Sequence, residues 1–285
     1  MTVQPAAYSE VVETARDYYN SEDAEAFYST IWGGEDIHIG IYDSPQDTIA
    51  AASHRSAQHL ARHLEPLDGT SRVLDMGSGY GGNARHLAQT YGSQVVGLNL
   101  SEVENERARQ LNETRGLAGL VKIVDGSFES VDERPDSFDG VCSQDAFLHS
   151  GDRARVVAEA ARVLKPGGIF AFTDIMQADD CPDGVLDPIL ARIHLSSLAS
   201  PSFYRHEATA NGLQELSFTD LSQQLVRHYD RVLAETSSRE AELQPRISAA
   251  YLQHMKQGLA HWVEGGNKGY LVWGIFAFRK PLVDA

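Results

Sequence analysis

Through the middle of the chain, short apolar runs alternate with longer stretches of helical periodicity. Strands are predicted at 72–76, 94–99, 120–124, 137–145 and 169–173, because each is an apolar, β-prone run bounded by turn residues. Between them, 85–91, 101–115 and 153–164 carry apolar positions at helical spacing. Ser101-Glu102-Val103-Glu104 gives the second of these a capping-box start, and Lys165-Pro166-Gly167-Gly168 gives the third a stop. Alternating strands and helices imply an α/β fold with a mostly parallel sheet.

The flanks depart from this alternation. Residues 8–27 read as a helix broken near Asn20-Ser21-Glu22-Asp23, and 48–64 as a second helix leading into the first strand. Between them, 31–42 is too rich in glycine, aromatics and charge for a plain element and reads as a lid. Beyond 175, helices are expected at 186–198, 203–211, 220–235 and 245–264. Strands are expected at 213–217 and 270–279, the last antiparallel to its neighbours, and Glu235-Thr236-Ser237-Ser238 is expected to be a loop. The expected organisation is a lid over 1–64, a ligand-binding core over 65–175 and a cap with the last strands over 176–285, all within one domain with insertions.

The stretch Val73-Leu74-Asp75-Met76-Gly77-Ser78-Gly79-Tyr80-Gly81-Gly82 hands a first parallel strand to a glycine-rich turn and a helix N-terminus, the place where such sheets cradle a nucleotide-like cofactor. Glycines 77, 79 and 82 also satisfy the dinucleotide fingerprint, so their spacing does not separate NAD from S-adenosylmethionine. Asp75 does: a carboxylate at the strand tip repels a pyrophosphate but suits an ammonium and a sulfonium. A plain structural turn is the remaining reading.

Ligands of such sheets bind outside the carboxyl ends of the strands. There the chain offers Asn99, 22 residues after Gly77, to accept from and donate to ribose hydroxyls. It offers Asp125 with Gly126, Ser127 and Phe128 for an adenine ring, and Asp145 with His149 after the fourth strand.

Composition narrows the partners. The net charge is -16, with five lysines against 19 arginines, and such a field repels phosphate backbones and anionic membranes. Ordinary solubility explains that acidity, and so does life in concentrated salt. The two cysteines, Cys142 and Cys181, lie far apart, which speaks against a disulfide framework or a metal site and for a reduced, cytoplasmic setting. Neither a basic, apolar leader nor a membrane-length apolar run is present in the sequence. The oligomeric state stays open.

Residues 73–82, Asn99-Leu100-Ser101, Asp125-Gly126-Ser127 and 164–168 together resemble the S-adenosylmethionine-dependent methyltransferases. Tyr18-Tyr19, residues 31–40, 143–150 and 200–205 are similar to the sarcosine/dimethylglycine N-methyltransferases of glycine betaine synthesis, and the phosphoethanolamine methyltransferases look more distant. The resemblance implies a Rossmann-like methyltransferase core with a mostly parallel seven-stranded sheet, an N-terminal lid and an inserted helical cap. It adds Gln144, Trp32 and His38 to the cofactor contacts. It also implies a small amine acceptor, whose proton a Tyr19–His149 pair would take, with Tyr18 as the alternative to Tyr19.

Asp145 would hold the ammonium, Trp32 and Tyr42 would face it, and Arg192 and Arg205, beside Tyr204, would grip a carboxylate. The same core could instead methylate another amine or an oxygen of a natural product or lipid headgroup, or bind its cofactor without turnover; a nicotinamide oxidoreductase is a further alternative.

Overall fold

The computed structural model describes residues 10–192 and 195–282. Two short helices, α1 (Glu10–Tyr19) and α2 (Glu22–Ile31), precede an irregular segment and α3 (Ile49–His63). The predicted break at 20–23 is real: the Ser21 side chain accepts from the Ala24 N–H and starts α2 afresh. Thr48 caps α3 in the same way.

The core follows as β1 (Arg72–Met76), α4 (Gly82–Tyr91), β2 (Gln94–Asn99), α5 (Glu102–Thr114), β3 (Val121–Asp125) and β4 (Phe138–Gln144). A 3-10 turn (Phe147–His149), α6 (Arg153–Val163) and β5 (Leu164–Gln177) complete it. The cap elements are α7 (Asp187–Arg192), α8 (Pro201–Ala210), β6 (Gln214–Asp220), α9 (Ser222–Ser238), α10 (Glu240–Leu243) and α11 (Ala249–Asn267). The last described element is β7 (Leu271–Arg279).

The seven strands form one sheet in the order β3-β2-β1-β4-β5-β7-β6. The first five pair in parallel, and β7 runs antiparallel between β5 and β6. The order reverses at β1, so the tips of β1 and β2 diverge from that of β4 and leave a crevice at the switch point.

Side chains alternate across the sheet as a period of two requires. Val73, Val95, Ala171 and Ala277 pack under α3 and α4. Leu74, Val96, Phe170, Phe172, Phe276 and Phe278 pack against α6 and α8. A third apolar cluster joins Phe27, Ile31 and Trp32 of the N-terminal segment to Leu225, Leu259 and Trp262 of α9 and α11 and to Trp273 of β7. Lid and cap therefore share a core above the switch point, and that core roofs the crevice.

Three expectations fail in instructive ways. Residues 235–238 continue α9 instead of forming a loop, because the Thr236 and Ser237 hydroxyls donate to the Val232 and Leu233 carbonyls one turn back. The turn at 165–168 is drawn into β5, where Gly167 and Gly168 exchange backbone hydrogen bonds with Lys280 (2.7 and 3.1 Å). The helix expected over 186–198 is only Asp187–Arg192.

Candidate active site

The turn after β1 shapes the cofactor cavity. Gly77 holds φ at +79°, its N–H donates to the Leu98 carbonyl at 2.7 Å, and a Cβ there would collide with the Ala146 methyl. Asp75 at the strand tip is 1% exposed and lines this cavity. Burial pushes its carboxyl up to about 6, while Asn83 and the Cys142 thiol beside it pull the other way.

One observation describes what the cavity is built to hold. Asp75 Oδ2, Ser78 Oγ, Asn83 Oδ1, Gln144 Oε1, Asp36 Oδ1 and His38 Nε2 are buried and have no hydrogen-bond partner among the described residues. All six residues line this same cavity. Orphaned buried polar atoms are costly, and a cluster of acceptors and donors suits a zwitterion. Asp75 can accept from the ammonium of S-adenosylmethionine, and the Ser78 hydroxyl and His38 can donate to its carboxylate. The group therefore fits.

His38 is prepared for that role. Burial alone would discharge it, but Asp36, with an oxygen 3.7 Å from Nε2, holds its pKa above the ordinary imidazole value. Asp36 also contacts His54 Nδ1 at 3.2 Å, and against its own burial the two imidazoles hold its carboxyl well below the usual range.

Asn99 ends β2 inside the cavity, and its amide donates to Glu104 Oε2 at 2.9 Å. Glu104 lines the cavity too, and its burial pushes the carboxyl up to about 7. The acid absent at position 99 thus stands one turn into α5, where the sequence reading saw only a capping residue. Gly126, Ser127 and Phe128 also line the cavity. Asp125 does not: it turns to α5, accepting from Asn105 Nδ2 at 2.8 Å and pairing with Arg109, so its expected adenine contact is replaced by the three residues after it.

At the reacting end, Tyr19 Oη lies 3.0 Å from His149 Nε2. Burial, aided by the charge of Arg153, pushes the imidazole down to about 4, so the ring is neutral at physiological pH. Asp145 sits at φ +50°, a left-handed conformation that aspartate tolerates. Oδ2 accepts from the Ile39 N–H at 2.7 Å, and Oδ1 from the Thr173 hydroxyl and the Trp273 indole at 2.8 and 2.7 Å. Its carboxylate is fixed by both the lid and the sheet.

A second, aromatic cavity adjoins the first, and Tyr19, Ile37, His38, Asp145 and His149 line both. Its remaining walls include Tyr18, Tyr28, Trp32, Tyr229 and Trp262. Trp32 belongs to this cavity and not to the cofactor's, and its indole N–H donates to the His38 carbonyl at 3.1 Å. Tyr28, one helical turn before Trp32, was legible as its partner. Tyr229 and Trp262 sit on amphipathic helices whose aromatic positions look like ordinary core.

The other expected acceptor contacts lie elsewhere. Tyr42 is buried with its hydroxyl 3.0 Å from His228 Nδ1, outside both cavities. Tyr204 is buried under the sheet and donates to Asp174 Oδ2 at 2.6 Å. Arg205 is surface-exposed, paired with Glu215 at 2.9 Å and lying over Phe218 and Phe276. The Arg192 side chain lies outside the described residues. Among the described residues, no arginine or lysine lines the aromatic cavity, and no group of three or more His, Cys, Asp or Glu is placed to hold a metal.

Comparison with known proteins agrees with this geometry. Residues 74–172 match the family model described as a methyltransferase domain. The chain is 56% identical to a sarcosine/dimethylglycine N-methyltransferase of Halorhodospira halochloris, over 95% of this chain and 97% of that one. It is 49% identical to the enzyme of that name from Aphanothece halophytica, over 95% and 98%. A solved structure from Galdieria sulphuraria, described as a sarcosine dimethylglycine methyltransferase, superposes with a TM-score of 0.88 at 41% identity, over 94% of this chain and all of that one. A cofactor crevice with a charged methionine end, opening onto an acceptor cavity, thus sits on a chain that belongs to the sarcosine/dimethylglycine N-methyltransferases, within the S-adenosylmethionine-dependent methyltransferases.

Proposed function

We propose that the chain methylates the nitrogen of sarcosine and of dimethylglycine, the second transfer yielding glycine betaine. The observation that carries this reading is the junction of the two cavities at Tyr19, His149 and Asp145. S-adenosylmethionine, held by Asp75, Ser78, His38 and the Asn99–Glu104 pair, supplies an electrophilic methyl group. What the chain contributes is placement of the amine in line with that methyl, exclusion of water and removal of a proton.

A secondary ammonium resembling lysine's costs about 3–4 kcal/mol to deprotonate near pH 7.5. The Tyr19 hydroxyl, beside the neutral imidazole of His149, is placed to take the amine proton and pass its own to Nε2. Dimethylglycine leaves as a quaternary ammonium with no proton to donate. Aromatic faces accommodate that cation, and Tyr18, Tyr28, Trp32 and Tyr229 provide them beside the fixed carboxylate of Asp145. The absence of lysine and arginine from the described wall argues against a phosphorylated amine.

The acidic field argues against nucleic acid as a partner, and the two free cysteines support a reducing compartment such as the cytoplasm. Among the described residues, no helix is long and apolar enough to cross a membrane.

The test is to supply labelled S-adenosylmethionine with glycine, sarcosine, dimethylglycine or phosphoethanolamine and to weigh the products. Sarcosine and dimethylglycine are expected to gain methyl groups, with glycine poor. Turnover of phosphoethanolamine and of neither methylated glycine would overturn the reading.

A further inference from the structure

An N-methylated glycine carries a carboxylate, yet the described wall of the aromatic cavity holds no guanidinium or ammonium to receive it. The chain has three tryptophans, and their indole N–H groups divide sharply. That of Trp32 donates to the His38 carbonyl and that of Trp273 to Asp145. The third, on Trp262 of α11, is 1% exposed, stands in the cavity wall and has no acceptor among the described residues.

A buried N–H without an acceptor is rare and signals an absent partner. Trp262 is also held firmly, stacked on Tyr229 with ring centroids 5.3 Å apart. A rigid donor loses little freedom on binding.

We propose that Trp262 is a specificity-determining residue whose indole Nε1–H donates to the carboxylate of the methyl acceptor. This inference rests on the acceptor class proposed above. A neutral donor suits a zwitterion: the aromatic faces and Asp145 receive the ammonium, and the indole receives the anionic end without adding positive charge beside the amine that must lose a proton. An arginine there would bind the carboxylate more tightly but would also salt-bridge with Asp145, which the ammonium needs.

The experiment compares dimethylglycine with N,N-dimethylethanolamine, which keeps the amine and lacks the carboxylate. The Trp262→Phe protein is expected to raise KM for dimethylglycine about ten- to hundred-fold, the loss of one hydrogen bond to a charged group, with kcat within a few-fold. Its KM for dimethylethanolamine should barely move. Benzothienylalanine at 262 keeps the shape and the stacking on Tyr229 and deletes only the N–H, so it tests the same point if phenylalanine disturbs folding. Unchanged KM for dimethylglycine, or an equal loss with both acceptors, overturns the role of the indole while leaving the function standing. A wild-type protein that methylates neither sarcosine nor dimethylglycine overturns both.

Discussion

Asp75 offers the most direct single-residue test. Its Oδ2 faces the cofactor cavity without a partner, so Asp75→Ala should weaken S-adenosylmethionine binding at least ten-fold by calorimetry, with the fold intact by circular dichroism. A cationic ligand selects the ionised carboxylate, and the carboxyl titrates near 6. Affinity in the wild type should therefore hold above that pH and fall as pH drops through 6 toward 5, and in Asp75→Ala this dependence should vanish.

Tyr19→Phe and His149→Ala should each cut kcat much more than cofactor affinity. Because His149 is already neutral well above about 4, kcat/KM should climb from pH 7 to 9 with the amine's own deprotonation and show no imidazole inflection. Asp75, Asn99 and His149 were legible in the sequence because strand ends are a fixed address in a parallel sheet. Arg205 and Tyr204 were not placed correctly, because which face of α8 meets the sheet is decided by packing against Phe172 and Phe276, a long-range outcome.

α5 is more than a connector between β2 and β3. Three of its charged residues reach the N-terminal segment: Glu102 pairs with Arg16, Arg107 with Glu25, and the following Arg115 with Glu35. All six side chains are partly exposed, so each pair contributes little alone and is weakened by salt, but together they seam the lid to the core. Arg107→Ala combined with Arg115→Ala should speed release of S-adenosylhomocysteine several-fold in stopped flow at low ionic strength. In 1 M salt, where the screening length is about 3 Å, variant and wild type should converge.

The helices and strands of the core were readable because their apolar periods differ. The seam was not, since Glu35 and Arg115 are separated by most of the first half of the sheet, and no local pattern announces their meeting. Residues 235–238 show the opposite failure: hydroxyl-rich composition suggested a loop, and back-bonding to the preceding turn kept the helix intact.

At the scale of the whole molecule, the charge of -16 opposes compaction. Screening that repulsion should raise the melting temperature by several degrees between low salt and about 1 M sodium chloride, a rise that calorimetry can follow and that an uncharged osmolyte at equal osmolality would not reproduce through the same term. Lid, core and cap lean on one another through the Trp32–Trp262–Trp273 cluster, so this unfolding should be a single transition. The roof also settles a question that glycine spacing leaves open. A Cβ on Gly82, the first residue of α4, would collide with the Asp36 carboxylate and the Glu35 carbonyl of the lid. The helix end that welcomes phosphate in dinucleotide-binding sheets already has a resident anion, one held in place by two imidazoles. A pyrophosphate would have to evict it, so this protein discriminates between nucleotides by prior occupancy: the vacancy was filled from a segment forty residues upstream before any ligand arrived.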